Sequence, residues 1–257
     1  MMRRRLEHVG LPLLASAVLV TLWHLAVVHT GTKIFPSPAA VARGLGELLR
    51  RGVLGTYLLD SLRRVALGTG LAVMLGVPLG SWMGLQREAA LAIDPVVQWL
   101  RPISPLAWSP LAIVLWGVGE PATVFLIFLA AIFPITTAAT SAVQAIPEVH
   151  LRAGRNFGLG PGALWLRVLL PASIPDLLVA LRITLGIAWL VVVAAEMLAV
   201  DSGLGYLIID ARNAGKRYDL VVAGMLLIGC VGWAIDAGVR RLERLHPVRW
   251  GFPDQGG

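Results

Sequence analysis

The chain has 257 residues, of which 57% are hydrophobic and only 14% are charged. Soluble globular domains carry about 25% charged and about 45–50% apolar residues, so this composition excludes an ordinary soluble enzyme or a disordered chain. The apolar residues fall in separate charge-poor runs of roughly 18–25 residues, which is the length that crosses a bilayer as a helix. Because β-barrel strands are shorter and alternate polar with apolar residues, the pattern favours an all-α membrane protein.

The formal net charge is +7. The basic residues lie at the ends of the apolar runs and at the termini, so they do not form the continuous basic face that nucleic-acid binding needs. They include Arg3, Arg4 and Arg5 at one end and Arg240, Arg241, Arg244 and Arg249 at the other. An excess of Lys and Arg is typical of the cytoplasmic side of a membrane protein. We therefore expect both termini to be cytoplasmic and no nucleic acid to be a partner.

The apolar runs predict six membrane-spanning helices in a single transmembrane domain that covers residues 1–257. Their expected ranges are about 9–28, 65–83, 97–118, 122–143, 179–200 and 220–239. The first run is longer than the core of a typical signal peptide, so we expect an uncleaved span. The third contains Pro102, Pro105 and Pro110, so we expect it to be kinked or broken where it lines a cavity or is buried in protein. An even number of spans agrees with both termini on one side.

A short amphipathic helix is predicted after the first span. Ser37 followed by Pro38 is a typical helix start. Val41, Leu45 and Leu48 then recur at helical spacing on one side. Charged residues occupy the other side: Arg43, Glu47, Arg50 and Arg51. The pattern is typical of a helix that lies along a membrane surface.

Signals of catalysis are scarce. The five histidines are scattered, and the sequence contains no close metal-ligand pair, Walker A loop, dinucleotide fingerprint or Gly-x-Ser-x-Gly turn. We therefore expect no catalytic residue, metal or cofactor, and a buried thiol at the single cysteine, Cys230. Three classes remain: an ATP-driven transport subunit, an energy-independent channel or secondary carrier, and an intramembrane hydrolase. The sequences of secondary carriers often contain internal repeats. None is visible in this sequence, which counts mildly against a carrier.

The loop between the fourth and fifth spans, residues 144–178, carries a long-range pattern. It consists of Arg152-Ala153-Gly154, three residues, Gly158, nine residues, and Val168-Leu169-Leu170-Pro171. This resembles the cytoplasmic loop of permease subunits of ATP-binding-cassette importers, whose usual form is Glu-Ala-Ala, three residues, Gly, nine residues, Ile-x-Leu-Pro. Arg152 stands where the family often has Glu, and Gly154 stands where it has Ala.

The resemblance implies that this loop contacts an ATPase. It assigns the contact to Arg152, Ala153, Gly154, Gly158, Leu170 and Pro171. We expect a short helix, a turn at Gly158 and a second helix that ends at Pro171. Such a coupling helix would transmit the motion of an ATPase to a channel that has no nucleotide site of its own.

Further stretches narrow the resemblance to the permeases for sulfonates, taurine, nitrate and bicarbonate. In chain order they are 35–38, 61–64, 101–113, 181–183, 196–198 and 202–208. The resemblance covers nearly the whole chain and implies the type I importer permease fold, alternating access and transport of a small oxyanion. It also implies cytoplasmic ATPase subunits, an external solute-binding protein, and a second copy of the permease as a homodimer in the lipid of the inner membrane.

Four residues are candidates for the translocation pathway: Arg101, Trp108, Arg182 and Glu196. Charged residues within spans are costly and mark functional positions. Arg101 and Arg182 lie near the predicted ends of spans. An equally favoured alternative is that their side chains extend to the membrane interface and do not line the pathway. Packing is an alternative role for Trp108. Glu196 lies deeper and is about 21 Å along a helix from Arg182, so we expect its partner on another helix.

Overall fold

The computed structural model describes residues 10–31 and 35–243. Within these ranges the chain is helical apart from turns and short connections, and it contains no strand. The prediction of an all-α fold is therefore confirmed. The basic residues at the extreme ends, Arg3–Arg5 together with Arg244 and Arg249, lie outside the described residues.

Ten helices organise the described part of the chain. They are α1 Leu11–Thr30, α2 Pro38–Arg51, α3 Val53–Leu85, α4 Arg87–Leu100, α5 Ser109–Trp116, α6 Glu120–Gln144, α7 Glu148–Asn156, α8 Pro161–Ala199, α9 Leu204–Gly215 and α10 Tyr218–Glu243. Five of them, α1, α3, α6, α8 and α10, are long and apolar enough to cross a membrane. A sixth crossing stays a prediction.

The region predicted as the third span is broken. Helix α4 ends at Leu100, a 3-10 turn covers Pro105–Trp108, and α5 is only eight residues long. Proline removes a backbone donor and disfavours helical geometry in the residue before it, which explains the break between α4 and α5. Together α4 and α5 are the segment that would make the sixth crossing.

The centre of the bundle is formed by α3, α6 and α8. Its buried core includes Leu126 and Ile127 of α6 and Val192 of α8. Helices α3 and α6 approach closely because α3 presents glycine at the contact: a Cβ at Gly80 would lie 2.3 Å from the Thr136 carbonyl oxygen. Small residues permit this type of packing between membrane helices.

The predicted amphipathic helix is present as α2. Its first turn is capped by Ser37, whose hydroxyl accepts a hydrogen bond from the Ala40 N–H at 3.3 Å. Its apolar side, which includes Val41 and Leu48, is buried in a cluster with Leu220 of α10. Part of the apolar face is therefore covered by protein, and the position of α2 along the membrane surface stays a prediction.

Helix α8 differs from the prediction at Pro171, because the helix does not end there. It continues for 39 residues from Pro161 to Ala199. A π-helical segment over Trp165–Leu169 precedes the proline, and the Leu170 N–H bonds to the Trp165 carbonyl. This wider turn accommodates a residue that cannot supply its own N–H. Pro171 thus marks an irregular turn inside a continuous helix.

Cys230 is exposed on α10 instead of buried, so the prediction of a buried thiol is wrong. Trp233, one turn further along α10, is also exposed. In a membrane helix an outward-facing apolar side contacts lipid or another subunit, so apolar character does not by itself predict burial within one chain.

Candidate functional site

The segment that resembles the ATPase contact contains α7 and the start of α8. Helix α7 begins after Pro147 and has Glu148 in its first turn, where a carboxylate is favourable. Arg152 donates to Glu148 Oε2 at 2.7 Å, and both side chains are about 70% exposed (69% and 70%). The arginine at this position of the pattern therefore makes an ion pair within its own helix.

The turn after α7 is made by Gly158. Its φ angle of +75° lies in the left-handed region, which glycine adopts without steric cost. The Gly158 N–H donates to the Arg155 carbonyl at 2.9 Å, and the Leu159 N–H donates to the Gly154 carbonyl at 3.1 Å. The segment thus has the short helix, the glycine turn and the following helix that the sequence predicts.

Gly154 joins α7 tightly to α8. It is buried, and a Cβ at this position would lie 2.6 Å from Leu164 Cδ1. Leu170 packs against the buried cluster formed by α3 and α6, so the start of α8 is attached to the centre of the bundle. Helix α7 is therefore packed directly against the start of α8, which is itself packed against the centre of the bundle.

The outward side of α7 carries an apolar stripe at helical spacing, formed by Val149, Ala153 and Phe157. All three are exposed, Phe157 by 86%. Exposing most of an aromatic side chain to water is unfavourable. An exposed apolar stripe that ends at Phe157 is therefore typical of a surface that contacts a partner.

A second candidate site is a buried polar network around Glu196 of α8. Its side chain is fully buried. Arg64 Nη1 of α3 donates to Glu196 Oε1 at 2.8 Å, and the Ser61 hydroxyl lies 2.8 and 2.9 Å from the two carboxylate oxygens. The Gly205 N–H also donates to Glu196 Oε2 at 2.9 Å. The prediction that the partner of Glu196 lies on another helix therefore holds in the structure.

The same network holds the loop that follows α8. Arg64 donates to the Ser202 carbonyl at 2.9 Å and to the Ser202 hydroxyl at 2.7 Å. The Ser61 hydroxyl accepts from the Leu204 N–H at 3.0 Å. Both residues belong to the stretch 61–64 that resembles the family, and the spacing of Ser61 and Arg64 by three residues on one helix face is the sequence signal that they act together.

Glycine is required where this loop meets α8. Gly203 has a φ angle of +106°, and a Cβ there would lie 2.3 Å from the Glu196 carboxylate. A Cβ at Gly205 would lie 2.1 Å from the Val193 carbonyl oxygen. The glycine-rich loop thus lies directly on α8, and α9 starts from a fixed position.

Arg182 is paired with α10. Its Nε donates to Asp236 Oδ1 at 2.6 Å, and Nη1 lies 3.5 Å from Glu243 Oε2. Arg240 also binds Asp236. Beside this cluster, a cleft of about 460 Å³ between α8 and α10 is lined by residues that include Arg182 and Trp189. The charge of Arg182 is therefore compensated by neighbouring carboxylates.

Arg101 and Trp108 lie on either side of the break between α4 and α5. Arg101 is exposed, and it forms no ion pair with a carboxylate in the ranges 10–31 and 35–243. Trp108 packs against the central core. The structure does not bring the four pathway candidates into one site: Glu196 and Arg182 each have partners of their own.

Sequence reasoning also missed a charged cluster that joins α2 to α10. Arg217 Nη2 donates to Glu47 Oε2 at 2.6 Å and to Asp219 Oδ2 at 2.8 Å. Hydrogen bonds from Arg217 and from Arg51 hold the pKa of the Glu47 carboxyl below its ordinary value. Glu47 and Arg217 are 170 residues apart, so only the folded structure shows that they meet.

No group of three or more His, Cys, Asp or Glu side chains in the described part of the chain is arranged to hold a metal ion.

One family of transport proteins and several individual transport permeases are similar in sequence to this chain. A family described as binding-protein-dependent transport system inner membrane component matches residues 76–246. A putative ABC transporter permease of Methanocaldococcus jannaschii is 39% identical, over 91% of this chain and 88% of the relative. A nitrate import permease of Synechocystis is 34% identical (91% and 88%), and the taurine transport permease of Escherichia coli is 33% identical (89% and 85%).

Two solved structures share the fold. A chain of the MetNI methionine ABC transporter superposes with a TM-score of 0.65 at 20% identity, over 76% of this chain and 96% of that one. A chain of a bacterial alginate ABC transporter, solved with an alginate-bound periplasmic protein, gives a TM-score of 0.61 at 14% identity, over 94% and 96%. The architecture is that of the transmembrane subunits of type I ABC importers.

Proposed function

The chain belongs to the family of binding-protein-dependent transport system inner membrane components, and we propose that it carries a small oxyanion across the cell membrane. It is a transport subunit, and ATP is hydrolysed by separate cytoplasmic subunits that contact α7. A solute-binding protein delivers the oxyanion from outside. Two copies of the permease enclose the pathway, which opens alternately to the two sides, and both termini are cytoplasmic.

The single observation that carries the coupling proposal is the continuity of α8. The helix starts three residues after the Gly158 turn and ends three residues after Glu196. At 1.5 Å per residue its 39 residues extend about 58 Å, which exceeds the thickness of a bilayer. One element therefore joins the proposed ATPase contact to the loop that Glu196 and Arg64 hold at the opposite end. A displacement at α7 reaches that loop without passing through a flexible connection.

The Val149–Ala153–Phe157 stripe supports α7 as the contact with the ATPase. It is apolar and exposed, and it belongs to the segment whose sequence resembles the coupling loop of the family. Arg152 and Gly154 have different roles in this proposal. Arg152 stabilises α7 through Glu148, and Gly154 lets α7 lie close against Leu164.

An oxyanion is supported as the substrate by the relatives and by Arg101. The relatives include permeases named for nitrate, taurine and bicarbonate. All three solutes bear an oxyanion group, for which a guanidinium is a suitable partner. Arg101 is the better candidate for contact with the solute, because it is exposed at the helix break, whereas Arg182 is compensated by Asp236 and Glu243.

Uptake measurements test the oxyanion proposal. Cells in which the gene is deleted would be complemented with the native chain, Arg101→Lys or Arg101→Ala, and supplied with radiolabelled taurine, nitrate or bicarbonate. We expect the native chain to restore uptake of at least one of them, Arg101→Lys to retain part of it, and Arg101→Ala to lose most of it. Trp99→Ala, two residues away on the apolar side of α4, is the matched control. Unchanged uptake of all three solutes between deleted and complemented cells would contradict the proposal.

A further inference from the structure

The cleft between α8 and α10 has two chemically different ends. Its walls are mainly apolar and are formed by side chains such as Ile183 of α8 and Ile235 of α10. At one end the walls meet a pair of charged groups, where Arg182 Nε donates to Asp236 Oδ1 at 2.6 Å. Both helices are long and apolar enough to cross a membrane. The cleft is therefore an apolar space between two spans, with charge at one end.

Trp189 lies at the opposite end of the cleft. Its indole Nε1 donates to the Ile228 carbonyl at 3.0 Å, which holds the ring against α10. Gly232 gives the ring room, because a Cβ there would lie 3.0 Å from Trp189 Cδ1. The seven residues of α8 from Arg182 to Trp189 extend about 10 Å. Gly186 lies within that stretch, and a Cβ there would meet nothing within 4 Å beyond its chain neighbours and its own helix backbone, so the cleft is open along its length.

The charged end is a cluster of two guanidinium and two carboxylate groups. Asp236 also binds Arg240, and Arg182 Nη1 lies 3.5 Å from Glu243 Oε2. The cluster is thus electrically balanced. Its remaining carboxylate oxygen, Glu243 Oε1, is buried and has no hydrogen-bond partner among residues 10–31 and 35–243. Because an unsatisfied buried acceptor is costly, this end of the cleft favours a ligand that donates a hydrogen bond.

The cluster lies near the C-terminal end of α10. Asp236 is seven residues, or about 10 Å, from the end of the helix at Glu243. The 26 residues of α10 extend about 39 Å, which exceeds the hydrocarbon thickness of about 30 Å, so the end of the helix reaches the head-group region. Arg240 and Arg241 in the last turn are typical of such a boundary.

We propose that the α8–α10 cleft binds a phospholipid whose head group carries a phosphate and a primary ammonium, as in phosphatidylethanolamine. The phosphate accepts hydrogen bonds from N–H groups of Arg182 and Arg240, and the ammonium donates to Glu243 Oε1. One acyl chain lies along the apolar walls as far as Trp189. A balanced cluster fits a head group that bears both charges better than one that bears only a negative charge.

The inference goes beyond the transport function and depends on it for one point only. With both termini cytoplasmic, the C-terminal end of α10 is cytoplasmic and the lipid belongs to the cytoplasmic leaflet.

Native mass spectrometry of the detergent-purified complex tests the inference, because it identifies each lipid that stays bound by its mass. The complex would be exposed to equal amounts of phosphatidylethanolamine, phosphatidylcholine and phosphatidylglycerol with the same acyl chains. Gly186→Leu fills the cleft, and Gly229→Leu is its matched control, since Gly229 is exposed on α10 outside the cleft and also has space for a side chain. Glu243→Gln removes the carboxylate, and Glu88→Gln on the exposed side of α4 is its control.

We expect the native chain and both controls to retain phosphatidylethanolamine about tenfold over phosphatidylcholine, because choline has no N–H to donate. Gly186→Leu should lose the bound lipid, and Glu243→Gln should lose the preference over phosphatidylcholine. Equal retention of the three lipids by the native chain would overturn the inference, and so would a preference for phosphatidylglycerol. Unchanged lipid binding by Gly186→Leu would also overturn it.

The same spectra separate two other outcomes. If Gly186→Leu splits a complex with two permease copies into single copies and leaves lipid binding unchanged, the second copy covers the cleft and the inference is wrong. ATP hydrolysis is assayed in the same samples. A native chain that retains the lipid without any ATPase subunit would contradict the transport function and leave the lipid site standing.

Discussion

Arg64 of α3 and Glu196 of α8 form an ion pair of 2.8 Å whose side chains are only 6% and 0% exposed. Separating two charges buried to this extent is costly, because each loses its compensation in a medium of low dielectric constant. Their pairing therefore fixes α3 to α8 near the end of α8. Since Arg64 also binds Ser202, the pair fixes the loop before α9 as well.

Removing one partner of this pair should destabilise the subunit strongly. We expect Arg64→Ala or Glu196→Ala to lower the free energy of unfolding by about 3–5 kcal/mol, because each leaves an unpaired buried charge. Replacing both by Met should cost less than the two single changes together. The measurement is unfolding in detergent micelles. Arg152→Ala is the control, since its pair with Glu148 is exposed and worth about 0–1 kcal/mol. Equal losses in Arg64→Ala and Arg152→Ala would contradict the account.

The close approach of the loop to α8 predicts a sharp difference between two glycines. A Cβ at Gly205 would lie 2.1 Å from the Val193 carbonyl, whereas a Cβ at Gly70 meets nothing within 4 Å. We expect Gly205→Ala to cost about 1–3 kcal/mol or more through overpacking. Gly70→Ala should be neutral or stabilise α3 by up to about 1 kcal/mol. The yield of folded subunit after heating in detergent distinguishes them, and a stable Gly205→Ala subunit would show that the loop is not held in this position.

Gly158→Trp should uncouple transport without unfolding the subunit. Apart from the neighbouring residues, nothing lies within 4 Å of the position a Cβ would occupy, so a side chain here starts in open space, but the φ angle of +75° strains any residue other than glycine. The strain and the bulk fall on the turn that joins α7 to α8. Gly158→Asn is the control, because asparagine tolerates left-handed geometry better than most residues. Uptake and expression are measured together. Normal ATP-driven uptake by a well-expressed Gly158→Trp chain would refute the proposed role of the turn.

The attachment of α2 to α10 should weaken in acid. Because Arg217 and Arg51 hold the pKa of Glu47 below its ordinary value in the folded chain, the ionised form stabilises the contact. That stabilisation is fully present above the ordinary carboxyl pKa and is lost as the pH falls through the lowered one. Hydrogen exchange of the α2 amides measures it. We expect the α2 amides of the native chain to become less protected from exchange at acidic pH. In Glu47→Gln this acid-dependent loss of protection should be absent. Identical pH profiles for the two chains would show that Glu47 does not hold α2.

Local signals made several elements predictable. Ser37 and Pro38 start α2 because a cap and a fixed φ angle are properties of neighbouring residues. The resemblance of residues 152–171 to the family's cytoplasmic loop likewise predicted α7 and its turn at Gly158, and both are present in the structure. The prolines predicted a break in the third apolar run, although its position between Leu100 and Pro105 required the structure.

Features that depend on packing were not predictable. Arg64 and Glu196 are 132 residues apart, and nothing in either local sequence identifies the other as its partner. The helix continues through Pro171 because a π-helical turn absorbs the missing donor, which helix propensity alone does not indicate.

The most direct test of the account is purification of the tagged chain from its native membranes in mild detergent, followed by an assay of ATP hydrolysis in the eluate. If α7 and the start of α8 bind an ATPase, a stoichiometric ATPase subunit should co-purify with the native chain. Phe157→Asp should lose it, because a charge is placed in the apolar stripe, while the subunit itself stays folded. If the native chain elutes alone and without ATPase activity, even after crosslinking, the coupling role of this segment is wrong.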